Sequence, residues 1–252
     1  NYVEQFEIFI GKITNGGILV YNEDDAEVKR VSEAATNPIR KLPYSTPTYT
    51  VSDGITLLET PEGPMPIEVF GAHNLNNLAG AKWICQNMGV DEADFYEAIA
   101  SFKGASKRLE KIAESKGKVA YKDFAHSPSK VAATTQAVKN QYPNRTLIAC
   151  LELHTYSSLN AEFLKEYEGA LNFADEAVVF YSPDAVKIKQ LEEVTYEQIA
   201  SAFNRKDLII YTNPTEFKDY LFHKNFENSA LLLMSSGNYG GLDFDEVSKL
   251  IN

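Results

Sequence analysis

From residue 118 onward the sequence alternates between short apolar runs and longer helix-like segments, and this alternation restricts the fold more than any other feature. The apolar runs occupy residues 118–123, 146–151, 177–181, 208–211 and 230–234. Strands that alternate with helices form βαβ units, in which the strands are parallel and helices cover both faces of the sheet. The sequence therefore predicts a mainly parallel α/β sheet in its second part.

The first part of the chain has a different pattern, and we expect it to end near residue 103. A helix is predicted at the start, with Tyr2, Phe6, Phe9, Ile10 and Ile13 on one face. Strands are then predicted at 18–21, 39–44, 55–59 and 67–70, and helices at 24–34, 75–88 and 93–101. In the 75–88 helix, Leu78, Ala81, Cys85 and Met88 form a stripe that we expect to face the core. The short segment Gly104-Ala105-Ser106 is typical of a flexible hinge between two domains.

The stretch Asp123-Phe124-Ala125-His126-Ser127-Pro128 joins the first of the later strands to a helix. Ser127 suits a helix N-cap and Pro128 suits the first helical position. An acidic residue at the carboxyl end of a strand, beside a helix N-terminus, lies where open α/β sheets bind nucleotides. The alternative is that Asp123 only caps a turn. In either case we expect this loop carboxylate to lie outside the core.

Charge and composition exclude several classes of protein. The net charge of −11 argues against general nucleic-acid binding. No segment approaches the roughly 20 apolar residues that a membrane helix needs, and the first residues lack the basic region of a signal peptide. Cys85 and Cys150 lie in apolar runs and are interpreted as buried thiols in a reduced compartment. The four histidines lack ligand spacing, so we expect a cytoplasmic protein without a metal site in this chain.

Three motifs occur in a fixed order along the chain. They are Gly71-Ala72-His73-Asn74-Leu75-Asn76-Asn77, Phe102-Lys103-Gly104-Ala105-Ser106-Lys107-Arg108-Leu109-Glu110 and the stretch that begins at Asp123. Together they match G-x-H-N-x-x-N, F-x-G-x-x-x-R-x-E and D-[YF]-A-H-x-P, and the chain resembles the Mur ligase family over almost its whole length. The resemblance is greatest to the branches that join L-alanine or a recycled murein tripeptide to UDP-N-acetylmuramate.

The resemblance implies a two-part α/β fold. Residues 1–103 would form the C-terminal part of a central nucleotide-binding domain, and residues 104–252 a Rossmann-like, mainly parallel sheet domain. The sequence contains no P-loop of the form G-x-x-x-x-G-K-[ST]. In the family, the P-loop, the UDP-sugar-binding domain and the acidic and histidine metal ligands precede the region matched here. We therefore expect a C-terminal fragment that is inactive as a ligase alone.

The family's nucleotide contacts fall on five residues of this chain. Asn74 and Asn77, three apart in a first helical turn, would contact adenine; alternatively, Asn74 only caps the helix. Arg108 would contact the ATP phosphates as the catalytic residue; alternatively, it is a surface cation paired with Glu110 or Glu114. Asp123 would accept hydrogen bonds from ribose hydroxyls. His126 would support the same loop, or it is simply a turn residue.

The resemblance also implies an acceptor site. After the strand at 146–151, His154 and Tyr156 match one family pattern, and Glu152 and Ser157 have counterparts in a second, F-E-P-R-S-N-T. In the family these positions meet the incoming amino acid or peptide. The family pattern F-x-P-H-x-Y-x-R ends in arginine, whereas this chain has Ser158 there, which leaves the acceptor open. Gly237 lies in a glycine-rich loop after the last strand, where a ligand can approach the backbone closely. The alternative for Gly237 is a plain strand-to-helix turn.

The implied function is ATP-dependent amide-bond formation in peptidoglycan biosynthesis or recycling. ATP would phosphorylate the UDP-N-acetylmuramate carboxylate, and the amine of an amino acid or murein peptide would attack the acyl phosphate. Mg²⁺ would assist, with ligands mainly outside this chain, and no nucleic acid or membrane would take part. The alternatives are a folylpolyglutamate synthetase-like ligase and a noncatalytic nucleotide-binding domain.

Overall fold

The computed structural model describes residues 2–190, 192 and 194–252. The chain forms two compact units, Asn1–Phe102 and Lys103–Asn252. Each unit has its own buried core. None of the helices within the described residues has the length and apolar character needed to cross a bilayer.

The first unit contains a parallel strand pair and a separate antiparallel sheet. Strands β1 and β2 pair in parallel, whereas β3, β4 and β5 form a three-stranded antiparallel sheet in that order. The elements are α1 (Tyr2–Gly11), β1 (Ile18–Asn22), α2 (Ala26–Ala34), β2 (Arg40–Tyr44), β3 (Tyr49–Ser52), β4 (Ile55–Thr60), β5 (Gly63–Ile67), α3 (Ala72–Asn87) and α4 (Glu92–Ala100).

The prediction of a strand at 67–70 is wrong. The strand there is β5, which pairs with β4 from Gly63, opposite Thr60, to Ile67, opposite Thr56. Prolines at 64 and 66 argue against a central strand, but β5 is an edge strand, and an edge strand tolerates residues without an N–H donor.

Two predicted apolar faces are also only partly correct. In α1, Ile10 is buried, whereas Tyr2 and Phe9 are 79% and 64% exposed. In α3, Leu78 is buried and Cys85 is half-buried, but Ala81 is exposed and Met88 follows the helix end with 79% of its surface exposed. The buried side chains of this unit form two small clusters, and these exposed apolar residues lie outside both.

The second unit confirms the predicted mainly parallel α/β fold. Its six-stranded sheet has the order β10-β9-β8-β11-β7-β6, in which every neighbouring pair is parallel except β6 with β7. The strands are β6 (Glu110–Ser115), β7 (Lys118–Asp123), β8 (Thr146–Glu152), β9 (Glu176–Phe180), β10 (Ile209–Tyr211) and β11 (Ser229–Met234). The α-helices are α5 (Pro128–Gln141), α6 (Ala161–Leu164), α7 (Pro183–Ile188), α8 (Tyr196–Ala202), α9 (Pro214–His223) and α10 (Phe244–Ile251), and a 3₁₀ turn spans Lys165–Tyr167.

The strand register brings the polar loops of this unit to one edge of the sheet. Met234, the last residue of β11, pairs with Asp123 of β7 on one side and with Leu151 of β8 on the other. Because these strands are parallel, the segments that follow Asp123, Glu152 and Met234 all leave from the carboxyl edge. That edge is where open α/β sheets bind their ligands.

Candidate functional site

Asp123 is buried at the carboxyl end of β7, and its carboxylate is bonded to backbone. Its Oδ2 accepts the N–H of Leu109 at 2.7 Å, and its Oδ1 accepts the N–H of Ala125 at 2.6 Å. The side chain is 6% exposed, so the expectation that it lies outside the core is wrong. The burial follows from these two bonds, because they draw a neighbouring loop over the strand end. Asp123 therefore does cap its own turn, and a carboxylate has further lone pairs for other donors.

The loop that carries Arg108 is held by Glu110. The Glu110 carboxylate accepts the N–H of Lys107 at 2.8 Å and the hydroxyl of Ser106 at 3.2 Å, and it pairs with Lys122 at 2.9 Å. Partial burial raises the pKa of Glu110, but these hydrogen bonds and the ammonium outweigh it, and the pKa lies below its ordinary value. The backbone on either side of Arg108 has positive φ, 56° at Lys107 and 44° at Leu109.

Arg108 is exposed, and its guanidinium lies 5.7 Å from the centre of the Phe124 ring. Glu110 and Glu114, the alternative partners of Arg108, form ion pairs with lysines instead. Glu110 pairs with Lys122 at 2.9 Å, and Glu114 pairs with Lys111 at 2.6 Å. The structure thus presents an arginine on a fixed loop with its guanidinium toward solvent.

His126 lies beside Arg108's aromatic partner. Its ring meets Phe124 edge-on at 5.3 Å, and its Nδ1 lies 2.9 Å from the Phe124 carbonyl oxygen. Its own carbonyl accepts the hydroxyl of Tyr167. The structure therefore brings Arg108, Asp123 and His126 together around Phe124 and the end of β7, and their role toward a nucleotide stays a prediction.

Asn74 and Asn77 lie in the first unit, near the start of α3. Asn74 donates its amide N–H to the carbonyl of Phe70 at 2.9 Å, which ties the helix start to the preceding segment. Asn77 is exposed. The helix begins after Gly71, whose φ of 87° glycine adopts without strain.

Sequence reasoning missed Asn76 between these two asparagines. It is 9% exposed, and its amide nitrogen lies 3.1 Å from Asp24 Oδ2 and 3.2 Å from both Asn22 Oδ1 and Thr46 Oγ1. It fastens α3 to the ends of the parallel strands of this unit. No position of the motif marks Asn76, so the sequence carried no signal for this role.

Glu152 and His154 form the centre of the second group at the carboxyl edge. Glu152 Oε1 lies 3.4 Å from His154 Nδ1, and their side chains are 3% and 40% exposed. Glu152 Oε2 accepts the N–H of Tyr239 at 2.8 Å and the hydroxyl of Ser235. The buried carboxylate thus joins the end of β8 to the loop that follows β11.

Gly237 lies directly against this pair. A Cβ at this position would be 2.8 Å from Glu152 Oε2 and 2.9 Å from His154 Nδ1, which is closer than real contacts allow. The groups that lie close to Gly237 are therefore protein side chains, and the approach of a ligand to its backbone stays a prediction. The positive φ values of this loop occur instead at Tyr239, Gly240 and Gly241.

Tyr156 and Ser157 are exposed in the loop after β8. The ammonium of Lys189, at the C-cap of α7, lies 5.2 Å from the centre of the Tyr156 ring. Ser158, where the family pattern has arginine, is 1% exposed, and its hydroxyl accepts the N–H of Thr155 at 2.9 Å. No motif predicts that Lys189 lies near Tyr156, because the two residues are distant along the chain.

Among the described residues, no three or more histidine, cysteine, aspartate or glutamate side chains are grouped so that they could hold a metal ion. The described residues therefore offer no metal-binding cluster made of protein ligands alone, and the resemblance places the Mg²⁺ ligands mainly outside this chain. Both cysteines are free thiols, with Cys150 buried and Cys85 half-buried.

Comparison with known proteins identifies the family. The model described as "Mur ligase, glutamate ligase domain" matches residues 107–237, which is more than half of the chain. The UDP-N-acetylmuramate–L-alanine ligase of Caldicellulosiruptor bescii is 30% identical over 186 residues, which are 69% of this chain and 40% of that protein. This chain thus spans well under two thirds of that relative's length.

Solved structures share the fold. The UDP-N-acetylmuramate–alanine ligase of Thermotoga maritima superposes with a TM-score of 0.63 and 17% identity, covering 93% of this chain and 50% of that one. The folylpolyglutamate synthase of Mycobacterium tuberculosis, solved with ADP and AMPPCP, gives 0.61 and 16%, covering 94% and 57%. At these identities the likeness concerns the fold alone. The match of the family model over residues 107–237 establishes that the chain belongs to the Mur ligase family.

Proposed function

We propose that this chain supplies the acceptor-binding and part of the nucleotide-binding machinery of an ATP-dependent ligase of peptidoglycan precursor synthesis or recycling. The ligase joins an amino acid or murein peptide to UDP-N-acetylmuramate. The observation that carries the proposal is the position of two clusters of polar side chains, one around Asp123 and one around Glu152. Both lie at the carboxyl edge of the same sheet. Membership of the Mur ligase family supports it.

On the nucleotide side, Arg108 binds an ATP phosphate. A guanidinium keeps its charge near neutral pH and forks two hydrogen bonds, and here it is exposed on a loop fixed by Glu110 and Asp123. Asp123 accepts ribose hydroxyls with its remaining lone pairs, His126 supports that loop, and Asn74 and Asn77 meet the adenine edge.

On the acceptor side, His154, Tyr156, Ser157 and Gly237 surround the incoming amine. The missing arginine at position 158 leaves the acceptor's carboxylate without its expected partner. Lys189 has the right charge for that role, because its ammonium lies over Tyr156 in the same loop region.

The reaction proceeds in two steps. The UDP-N-acetylmuramate carboxylate attacks the γ-phosphate of ATP to give an acyl phosphate and ADP, and the acceptor amine then displaces phosphate to form the amide. Positive groups such as Arg108 offset the charge of the phosphoryl group in transfer. The ligase acts in the cytoplasm. Mg²⁺ would offset charge in this transfer as well, with its ligands mainly outside this chain.

A folylpolyglutamate synthetase-like ligase is the alternative within the same fold. The His73-Asn74 pair and the sequence Asp123-Phe124-Ala125-His126 favour the murein branch. A noncatalytic nucleotide-binding domain is the second alternative, and it would bind ATP without ever transferring phosphate.

The test is phosphate release from ATP by the full-length protein that carries this chain, with UDP-N-acetylmuramate and either L-alanine or murein tripeptide. We expect turnover of roughly 1 s⁻¹ or more with one of these acceptors. The separate chain should show none, because its sequence lacks a P-loop. Turnover only with a folate substrate and glutamate would favour the first alternative, and ATP binding without turnover the second.

A further inference from the structure

We infer that His154 removes the proton from the acceptor's ammonium group and that Glu152 is the positioning residue that orients its imidazole. The inference rests on the proposed function, since it assigns the proton transfer that amide formation requires. The chemistry demands such a group, because an ammonium nitrogen has no lone pair and cannot attack an acyl phosphate until it loses a proton.

The two oxygens of Glu152 have different partners, and this fixes the carboxylate. Oε2 accepts the Tyr239 N–H at 2.8 Å and the Ser235 hydroxyl, while Oε1 faces His154 Nδ1 at 3.4 Å. With three groups around it, the carboxylate cannot rotate without losing hydrogen bonds. The distance to His154 is long for a hydrogen bond, as is common in sites without substrate, and it would shorten when the imidazole becomes charged.

A carboxylate accepts hydrogen bonds but donates none. The ring nitrogen that faces Glu152 is therefore the one that carries hydrogen in neutral His154, and this leaves the lone pair on Nε2. A histidine in this tautomer can take a proton at Nε2 while the hydrogen on Nδ1 stays on the side of the carboxylate. The positive charge that forms on the ring is then offset by the adjacent negative charge.

Exposure separates the roles of the two side chains. Glu152 is 3% exposed and both of its oxygens face protein groups, whereas His154 is 40% exposed. The loop after β11 closes over the pair because Gly237 has no side chain, and even a Cβ there would lie 2.9 Å from His154 Nδ1. The arrangement thus shields the carboxylate and leaves the imidazole open to a ligand.

The proton balance of the step is complete. His154 Nε2 takes one proton from the ammonium, and the free amine attacks the acyl carbon to form the C–N bond as the bond from that carbon to the phosphate oxygen breaks. The nitrogen then gives up a second proton, which the departing phosphate accepts. The products are the amide, hydrogen phosphate and a protonated His154 that returns its proton to water.

The first experiment determines the tautomer of His154 by ¹H–¹⁵N long-range NMR on the ¹⁵N-histidine-labelled chain. We expect hydrogen on Nδ1 in the wild type and loss of this preference in Glu152→Gln, whose amide can still accept from Tyr239. Glu176→Gln is the matched control, because Glu176 begins β9 at the opposite edge and bonds to Tyr220 and Lys224. Hydrogen on Nε2 in the wild type, or no change in Glu152→Gln, would overturn the positioning role.

The second experiment measures amide formation by the full-length protein. His154→Gln should lower kcat by about 10²- to 10⁴-fold with the KM for ATP unchanged, and Glu152→Gln should lower it in the same direction. His223→Gln, on the exposed end of α9, is the control. A wild type that ligates no acceptor overturns the proposed function and the proton-transfer role with it. An active wild type with an equally active His154→Gln overturns that role alone.

Discussion

The carboxylate of Asp123 accepts the backbone N–H of Leu109 at 2.7 Å and thereby fastens the Arg108 loop to the end of β7. Leu109 has a φ of 44°, a conformation that costs a branched residue free energy and persists only where neighbouring contacts hold it. Any role of Asp123 toward a nucleotide is therefore coupled to its role in placing Arg108.

We predict that Asp123→Asn reduces both stability and nucleotide affinity. In asparagine an NH₂ group replaces one of the two carboxylate oxygens that accept the N–H groups of Leu109 and Ala125. One of these backbone N–H groups would therefore lose its acceptor. We expect the free energy of unfolding to fall by about 1–3 kcal/mol, measured by urea denaturation of the chain, and the KM for ATP of the full-length protein to rise. Asp219→Asn, on the exposed face of α9, should change neither quantity. An Asp123→Asn protein of unaltered stability would contradict the observed hydrogen bonds.

Arg108→Gln should separate affinity from stability. The guanidinium is exposed, and its described contact is the Phe124 ring at 5.7 Å, so its removal should shift the melting temperature little. Loss of a charge-assisted hydrogen bond to phosphate should weaken ATP binding by about 10- to 150-fold. Isothermal titration of the full-length protein measures the affinity.

Lys107→Gln provides the matched control for Arg108, because it removes the same charge from the neighbouring position. If ATP binds through Arg108 itself, Lys107→Gln should retain affinity within about threefold, a difference of roughly 0.7 kcal/mol. Equal losses in the two variants would instead indicate a general charge effect of the loop.

The stability contributed by Glu110 should depend on pH. Its folded-state pKa lies below the ordinary value of 4.5, so its contribution is fully present above pH 4.5 and is lost as the pH falls through the folded-state pKa. Glu110→Gln should therefore melt below the wild type at pH 7, and the difference should shrink below pH 4.5. Glu114→Gln, which removes an exposed pair with Lys111, should have a small effect at pH 7. A Glu110 difference that stays constant down to pH 2 would refute this assignment.

The parallel core of the second unit was predictable because burial on both faces makes its strands continuous apolar runs. Strand β6 was missed for the opposite reason. It is an antiparallel edge strand, rich in charged residues, with a bulge between Lys111 and Ala113 that breaks its alternation. Edge strands commonly carry such charges, which hide them from a pattern search.

The candidate site was only partly predictable. Motifs identified Arg108, Asp123 and His154, but they contain no information about the partners of each side chain. The burial of Asp123 depends on a loop that precedes it in the chain, and the burial of Glu152 depends on a loop that follows β11. Such contacts follow from strand order, which places β11 between β7 and β8 and which the local sequence does not encode.

Lys189→Ala tests whether this lysine replaces the missing acceptor-binding arginine. Ser158 is buried and bonded to Thr155, while the Lys189 ammonium lies 5.2 Å from the Tyr156 ring. If that ammonium binds the acceptor's carboxylate, Lys189→Ala should raise the acceptor KM of the full-length protein by about 10-fold or more, as expected for a lost charge-assisted hydrogen bond. The KM for ATP should not change, because the proposed nucleotide contacts lie around Asp123 and not around Lys189. Lys187→Ala, an exposed lysine of the same helix, is the control. An amide of the acceptor, which lacks the negative charge, should bind wild type and Lys189→Ala equally, and a tenfold preference of the wild type for that amide would rule out the carboxylate contact.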